Sequence, residues 1–458
     1  MTKIPHLPRI PIVGNLHQIA GKDIIGRLLT AIGGFYPISE LKVFNRKIVV
    51  ITSVDLAKEV MDDSKYDKFI DLPFEYLRKA AGDGLFTAWT HEPNWKKAHN
   101  ILLPGFAHKA IEGYIPIMQR TIDQLIERWA AKEGQQIDVA EDMTKLTFET
   151  IGLCGFDYSF DSFTSETRHP FIEAMLFTFN EAIQLARTPP ILQPLRVVRN
   201  RKFKNYISYM NNLLDDIIRR RREDTDSQKG KIDFLQLMLH AIDKESGEAL
   251  DDENIRYQIV TFLVAGHETT GSTLAFSIYN LLKNPEHLAA AYEEVDRVLG
   301  FDRNRAISQA DFRELKFLRQ VLMETLRLYP PLIGLTRYSQ VDTTIGAEQY
   351  PIEADQSIFM MIYFMHRDKK HWGENPEAFN PENFSPEAVV KRDRDAFKSF
   401  GHGQRTCIGQ HFAMLESTLA LAKILQHFRM KLQDGYELQF LESPAMKPKN
   451  LKVAFTKR

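Results

Sequence analysis

Cysteine is scarce in this sequence, which has only Cys154 and Cys407 among 458 residues. Two thiols cannot build a disulfide framework. The sequence also has no Cys-x-x-Cys pair, which is the usual sign of a zinc site built on cysteines. Such sparse use of cysteine predicts a reducing compartment, and the expected location is the cytoplasm. A zinc centre built on cysteines is therefore excluded.

Long apolar runs and an excess of either charge are also missing. The N-terminal run MTKIPHLPRIPIVGNLHQ has no signal-peptide core and no span that could cross a bilayer, so no membrane anchor is expected. The net charge of −1 argues against nucleic acid or an anionic membrane as the main partner. With 44% hydrophobic and 26% charged residues, the chain suits one very large domain or two to three ordinary ones.

The clearest pattern that is present is the run FGHGQRTCIG at residues 400–409. Gly401 and Gly403 permit backbone angles that other residues resist, and a helical pattern follows from Ile408. Cys407 is therefore expected at a helix N-terminus, where unpaired N–H groups and the helix dipole favour a thiolate. A rigidly held thiolate suits a soft metal centre.

Two other interpretations of this run are weaker. A lone cysteine is usually a small buried hydrophobe, but packing alone does not require the six specified positions of this pattern. A dinucleotide-binding loop would need a third glycine at position 406, which is Thr406.

A long helix is predicted from the acidic residues 251–253 to Pro285, which is long enough to cross the whole domain. Its centre is the run AGHETT at residues 265–270. Because glycine and paired threonines are poor helix formers, a local defect is expected there. A zinc-protease motif is excluded because its second histidine would fall on Gly271.

Other segments give clear predictions of secondary structure. A β-hairpin is predicted for residues 38–44 and 47–52, and a second one for residues 436–442 and 451–458. The chain between about residues 54 and 340 is predicted to be mostly helical. An amphipathic helix is expected at residues 170–183, followed by an irregular proline-rich segment at 188–194.

Two further helices bring polar side chains together. Pro93 begins a helix that places Trp95 and His99 on one face, so that their ring N–H groups could grip one carboxylate. A single helix at residues 308–328 places Glu324 and Arg327 three apart, where they can form an ion pair.

Taken in order, these runs resemble the cytochrome P-450 superfamily over the entire chain. The segment at residues 400–409 is similar to its haem-thiolate signature, residues 265–270 to its oxygen-handling helix, and Glu324 with Arg327 to its Glu-x-x-Arg motif. The resemblance implies a mainly α fold with small β-sheets (α+β), in which haem lies between the long central helix and the cysteine-loop helix.

A closer resemblance is to the haem domain of bacterial self-sufficient fatty-acid hydroxylases, in which a flavin reductase follows the haem domain. It is carried by the runs GDGLF, NWKKAHNILLP, DDENIRYQI, FLVAGHETT and FGHGQRTCIGQ. The chain is therefore expected to be one haem domain over residues 1–458, with a small β-containing region at about 1–55 and no reductase domain. Electrons from NADPH would come through an FMN/FAD reductase, fused in the full-length protein or separate.

The resemblance implies roles for individual residues. Cys407 is the expected ligand of the iron of haem b, and Thr269 and Glu268 are the expected catalytic residues that handle O2 and protons. Glu324 and Arg327 are expected to be structural, with Asn383 where most relatives have Arg or His. The other residues expected to bind the cofactor are Trp95, His99, Lys68, Arg337, Arg405, Phe400, Gly401, Ala265 and Gly266.

The implied activity is insertion of one oxygen atom of O2 into a C–H bond, most simply the subterminal hydroxylation of long-chain fatty acids. Arg46 matches the residue that holds the fatty-acid carboxylate in the subfamily, but its tyrosine partner falls on Val50. The alternatives are a monooxygenase of another hydrophobic small molecule, a peroxide-dependent peroxygenase and a non-catalytic haem sensor or electron carrier. The expected pocket residues are Phe74, Leu77, Ala81, Phe86, Leu332, Gly334 and Arg46. The resemblance implies a substrate lid at residues 188–194, and the alternative for this segment is an inert connector.

Overall fold

The computed structural model describes residues 2–19, 21, 24–165, 167–224, 233–347, 349–441 and 445–458. In the first half of the chain its helices are α1 (Leu16–Ile19), α2 (Ile24–Ile32), α3 (Val54–Val60), α4 (Leu72–Ala81), α5 (Pro93–Leu102), α6 (His108–Glu112), α7 (Ile115–Ala130), α8 (Val139–Phe156), α9 (Pro170–Arg187), α10 (Val197–Glu223) and α11 (Phe234–His240). The second half contains α12 (Asp252–Lys283), α13 (Pro285–Leu299), α14 (Gln309–Glu314), α15 (Lys316–Leu328), α16 (Ile362–Met365), α17 (Lys369–Trp372), α18 (Pro386–Lys391) and α19 (Gln410–His427).

The strands are short and lie mostly towards the two ends of the chain. They are β1 (Ile38–Val43), β2 (Arg46–Ile51), β3 (Asp67–Lys68), β4 (Gln136–Asp138), β5 (Leu335–Tyr338), β6 (Thr343–Ile345), β7 (Tyr350–Ile352), β8 (Ser357–Met360), β9 (Phe428–Leu432), β10 (Phe440–Leu441), β11 (Lys447–Pro448) and β12 (Lys452–Lys457). Short 3₁₀ helices cover Leu103–Phe106, Pro190–Leu195, Pro381–Phe384, Arg394–Ala396 and Gly403–Arg405. The predicted fold class, mainly α with small sheets, is confirmed.

The largest sheet has the strand order β1-β2-β8-β5-β3. The predicted first hairpin is confirmed, with Ile38 opposite Ile51 and Val43 opposite Arg46. Because β2 also pairs in parallel with β8, the region at about 1–55 does not form a sheet by itself but shares one with residues 335–360.

The second predicted hairpin is wrong. Strand β12 pairs with β9 and β4, whereas β10 pairs with β11. Residue 442, which the prediction included, lies outside the described residues. The alternating pattern identified the strands, but it carries no information on which strand is the partner.

Helix α12 begins where the acidic residues predicted it, since the side chain of Asp251 accepts a hydrogen bond from the backbone N–H of Asn254. The expected defect near residues 265–270 is absent, because the helix runs without interruption for 32 residues. The hydroxyls of Thr269 and Thr273 donate to the carbonyls of Ala265 and Thr269, four residues back, so neither needs a break in the helix.

The predicted helix at residues 308–328 is two helices separated at Leu315. Ser308 and Asp311 form a capping box at the start of α14. Glu294 accepts the backbone N–H groups of Phe317 and Leu318 at 2.8 and 2.9 Å, and so caps the start of α15. This remote carboxylate makes the interruption favourable.

The proline-rich segment is more regular than predicted. Helix α9 continues to Arg187 rather than residue 183, and a 3₁₀ helix covers Pro190–Leu195. Such short helices tolerate proline in their first turn because those N–H groups lack partners in any case.

The main hydrophobic core is formed mostly by helices, with α12 against α8 at its centre and α19 against α7 beside it. No helix among the described residues is long and apolar enough to cross a membrane. The core therefore supports the two segments that carry the predicted site, α12 and the loop before α19.

Candidate functional site

The cysteine loop has the backbone that its glycines predict. Gly401 and Gly403 have φ angles of +81° and +61°, in the left-handed region that favours glycine. The N–H of Cys407 donates to the carbonyl of Phe400 at 2.8 Å, and the N–H of Thr406 donates to that of Gly403 at 3.1 Å. These bonds fix the cysteine within a tight turn.

Two details of the cysteine prediction need correction. Helix α19 begins at Gln410, so Cys407 lies in the turn before the helix. Its side chain keeps solvent contact, but the surrounding protein desolvates it and raises its pKa, against a lowering effect of the Gly409 N–H. The nearby helix N-terminus therefore does not by itself convert the thiol of Cys407 into a thiolate. A bound cation would have to stabilise the thiolate form.

Asp63, which the sequence analysis missed, anchors this loop to the sheet side of the molecule. Its carboxylate accepts the backbone N–H of Gln404 at 3.1 Å and pairs with Arg337 at 2.8 Å. A Cβ at Gly403 would overlap this carboxylate. Asp63 is more than 340 residues from the loop, and no local pattern signals the contact.

The predicted cofactor-binding residues form a cluster of cations and aromatic rings. The guanidinium of Arg405 lies 4.5 Å from the ring centre of Trp95, whose ring centre is 5.5 Å from that of His99. Arg405 also donates to the carbonyls of Leu85 and Ala88. Burial lowers the pKa of Arg405 to about 10, and burial, Lys96 and Arg405 lower the pKa of His99.

Lys68 extends this cluster. Its ammonium donates to the carbonyl of Phe86 and lies 4.8 Å from the centre of the Phe86 ring. Although Lys68 keeps some solvent contact, its pKa is well below the usual value because of desolvation and the charge of Arg405.

The cluster has the chemistry of an anion site. The Nε atoms of Arg405 and Arg337 are buried and have no hydrogen-bond partner among the described residues. Buried cationic donors need a compensating anion, and the two propionates of haem would provide carboxylates of this kind. The residues present therefore fit the cofactor that the sequence resemblance implied.

Thr269 and Ala265 share one face of α12, and the Thr269 hydroxyl donates to the Ala265 carbonyl at 2.7 Å. Gly266 faces elsewhere, since a Cβ at this position would lie 3.3 Å from Ile151 of α8. The missing side chain of Gly266 thus allows close packing of α12 against α8.

Glu268 is held by partners that the sequence analysis did not find. Its carboxylate lies 2.6 Å from the ammonium of Lys447 and 3.1 Å from Nε2 of His267. Burial alone would raise the pKa of Glu268, but Lys447 and His267 together hold it far below its usual range. Lys447 also donates to Thr144 at 2.8 Å, so the carboxylate is ionised and fixed.

The predicted pocket residues come from three separate segments, at residues 74–86, at residues 332–334 and at Arg46 of β2. Phe74, Leu77 and Ala81 lie on α4, and the Phe74 ring meets the Phe86 ring edge-on with centres 4.9 Å apart. Gly334 precedes β5 where a Cβ would overlap Phe359 and the carbonyl of Met360. Leu332 lies two residues earlier and is half-buried.

Arg46 lies 3.6 Å from Glu75 of α4, and both side chains are about two-fifths exposed, at 44% and 41%. Val50 is fully buried against Ile32 and Met361, so it cannot touch a ligand carboxylate. Position 50 therefore provides no second anchor for a fatty-acid carboxylate. At the first anchor, Arg46, the carboxylate of Glu75 already occupies part of the site.

Glu324 and Arg327 are both completely buried and form two hydrogen bonds of 2.7 Å. Arg327 also donates to the carbonyls of His366, Pro376 and Ala378. The Asn383 amide donates to Glu324 at 3.1 Å, so an amide bonds to this carboxylate at the position where most relatives have Arg or His. This network connects α15 to the segment that precedes the cysteine loop.

Comparison with known families gives a match over nearly the whole chain. The family model described as Cytochrome P-450 matches residues 5–455.

Several curated proteins are also similar. The chain is 41% identical to the bifunctional cytochrome P-450/NADPH–P-450 reductase 2 of Bacillus subtilis, over 100% of this chain and 42% of that protein. It is 44% identical to the bifunctional cytochrome P-450/NADPH–P-450 reductase of Bacillus cereus, over 92% of this chain and 39% of that protein. A self-sufficient cytochrome P-450 monooxygenase of Phanerodontia chrysosporium is 36% identical to the chain, over 98% of this chain and 42% of that protein. The chain thus spans about two fifths of the length of these relatives.

Proposed function

Because this chain belongs to the cytochrome P-450 family, we propose that it is the haem domain of a monooxygenase. The reaction is insertion of one oxygen atom of O2 into a subterminal C–H bond of a long-chain fatty acid. The observation that carries this proposal is the acid–threonine pair of α12, in which Glu268 is held ionised beside Thr269. Family members that only use or rearrange peroxides generally lack this pair.

Cys407 would hold the iron of haem b through its thiolate, and Arg405, Lys68, Trp95 and His99 would hold the propionates. Arg337 would contribute through its remaining donor, since its pair with Asp63 leaves Nε without a partner among the described residues. When bound, the haem supplies the redox chemistry that activates O2.

The side chains of α12 control protons. The Thr269 hydroxyl can release its bond to the Ala265 carbonyl and donate a proton at Oγ1 towards the reacting oxygen. Glu268 is ionised, so it can take a proton from solvent and return it to the threonine side. Lys447 restores the ionised form after each transfer because it favours the carboxylate.

The pocket orients the substrate and excludes water. Phe74, Phe86 and Leu77 surround the acyl chain with apolar surface, and Arg46 binds its carboxylate at the mouth after displacing Glu75. Electrons come from NADPH through a flavin reductase, fused to this domain or separate, as in the relatives whose names include that reductase. The reaction would take place in the cytoplasm, which suits an unpaired thiol ligand.

The test is an optical titration of the ferric haem protein with palmitate, followed by turnover with NADPH and a reductase. We expect a saturable shift of the Soret band and a subterminal hydroxy acid by mass spectrometry. A Soret shift without product from O2, together with product from peroxide, would make the protein a peroxygenase. NADPH consumption that never exceeds the reductase blank would identify a sensor or electron carrier.

A further inference from the structure

Two histidine rings lie side by side on the surface next to the cysteine loop. His108 begins α6, and His411 lies in the first turn of α19. Both residues are exposed. Their ring centres are 4.8 Å apart, and the ring planes are inclined by 42°. Because the two residues are remote in the sequence, no local motif indicates the pair.

One aromatic cluster of the core fixes the backbone at both histidines. Phe106, two residues before His108, stacks on Phe234 with ring centres 4.4 Å apart. Phe412 directly follows His411, and its ring centre lies 6.2 Å from that of Phe234. Since Phe106 and Phe412 are both buried, the two imidazoles are held in position before any ligand binds.

The imidazoles are free to bind a ligand. Among the described residues, neither side chain takes part in a hydrogen bond or an ion pair. Burial and the charge of His108 lower the pKa of His411, so the ring of His411 is mostly neutral at pH 7. Neutral imidazole is the form of histidine that binds transition metals.

The separation of the rings fits two ligands of one metal ion. With metal–nitrogen bonds of about 2.0–2.1 Å, two imidazoles that meet an ion at roughly 90–110° have ring centres roughly 4.5–5.2 Å apart. The observed separation of 4.8 Å lies within that range. The described residues contain no group of three or more metal-ligating side chains, so water would complete the coordination.

We propose that His108 and His411 form a surface site for a divalent transition-metal ion that prefers imidazole, such as Zn²⁺ or Cu²⁺. The ion joins α6 to α19 beside the turn that carries Cys407. A Cβ at Gly409 would lie 3.7 Å from the Phe106 ring and 4.0 Å from Sγ of Cys407. A bound ion therefore braces this turn from the outside. The site contains none of the residues proposed to hold haem or substrate, so it does not rest on the proposed function.

The test is isothermal titration of the haem-loaded protein, prepared without a histidine tag, with Zn²⁺ at pH 7. X-ray absorption at the zinc edge then counts the ligands. We expect one tightly bound Zn²⁺ per chain with two imidazole nitrogens in its coordination shell. H108Q and H411Q should each weaken binding about tenfold or more, because the second ligand of a chelate acts at high effective concentration. The matched control is H240Q, which removes another exposed histidine, at the end of α11, and should bind as the unmodified protein does.

Thermal unfolding provides a second measurement. Because the ion binds the folded arrangement of the two rings, Zn²⁺ should raise the melting temperature of the unmodified protein and of H240Q more than that of H108Q/H411Q. Titration without heat of binding, or an affinity that both single variants leave unchanged, would overturn the proposal. A zinc shell with fewer than two imidazole nitrogens would also overturn it, since the two rings would then only pack against each other. Neither measurement involves substrate or turnover, so their outcome is independent of the fatty-acid assignment.

Discussion

Glu268 and Lys447 form an ion pair of 2.6 Å in which both side chains are only 6% exposed. The carboxylate belongs to the middle of α12 and the ammonium to β11, near the C-terminal end of the chain. The C-terminal sheet region thus determines the charge of a residue at the centre of the proposed proton path.

The first prediction concerns the variant K447M. Without the ammonium, the desolvation of Glu268 is opposed mainly by His267, so the pKa of Glu268 should rise. The carboxyl then stays ionised over a narrower pH range and relays protons poorly at the acidic end of that range. We expect less hydroxylated product per NADPH, with recovery as the pH rises. Lys449→Met, on the exposed part of the same segment, is the control and should keep the unmodified pH profile. A K447M enzyme with the same profile would remove Glu268 from the proton path.

The second prediction concerns Arg46 and Glu75, which are 3.6 Å apart at the expected pocket mouth. Arg46→Ala should weaken palmitate binding by up to about fivefold, which corresponds to the roughly 1 kcal/mol of an exposed charge contact. Glu75→Gln should strengthen it a few-fold, since Arg46 no longer has a competing carboxylate. Soret titrations measure both effects, and hexadecanol, which has no carboxylate, should bind equally to all three proteins. Equal palmitate affinity in the arginine variant would show that the acid is held elsewhere.

The third prediction concerns Glu416 of α19, a carboxyl that is only 1% exposed. Burial raises the pKa of Glu416 to about 8, although a hydrogen bond with the Thr150 side chain lowers it. Below the ordinary pKa of 4.5, the protonated carboxyl of Glu416 makes its full contribution to the free energy of unfolding. This contribution is lost as the pH rises towards about 8, because the unfolded chain releases the proton at a lower pH than the folded protein does. Glu416→Gln should therefore melt a few degrees above the unmodified protein at pH 8 and nearly level with it at pH 5. A difference in melting temperature that does not change with pH would contradict this.

The fourth prediction concerns the buried Glu324 network. Glu324→Ala leaves the Arg327 guanidinium buried without its carboxylate, so we expect a loss of about 3–5 kcal/mol in the free energy of unfolding. Asn383→Ala removes one hydrogen bond and should cost about 1 kcal/mol. Denaturant unfolding measures both values. The exposed pair of Glu223 with Arg219 provides a control, since Glu223→Ala should cost less than about 1 kcal/mol.

The parts of the structure that depend on neighbouring residues could be predicted from the sequence. Asp251 caps α12 through a residue three positions away, and the turn before Cys407 follows from its two glycines. The pairing of β1 with β2 needs only a short connection. In each case the decisive contact lies within a few residues, so the local pattern contains the information.

The parts that could not be predicted depend on contacts between distant segments. Lys447 reaches Glu268 across nearly 180 residues, and Glu294 caps α15 from another helix. The role of Gly266 is set by Ile151 of α8, which the motif around residue 266 does not contain. Desolvation of Cys407 reverses the pKa direction expected from the helix end, because burial is a property of the whole fold.

The cations that gather around Lys68 and Arg405 also make the cofactor a component of folding. Without an anionic partner they raise the free energy of the native state, while a bound cofactor stabilises that state by mass action. Chains that leave the ribosome when haem is scarce would then open more often and be degraded sooner. The cellular level of this protein should accordingly follow the haem supply, even at a constant rate of synthesis.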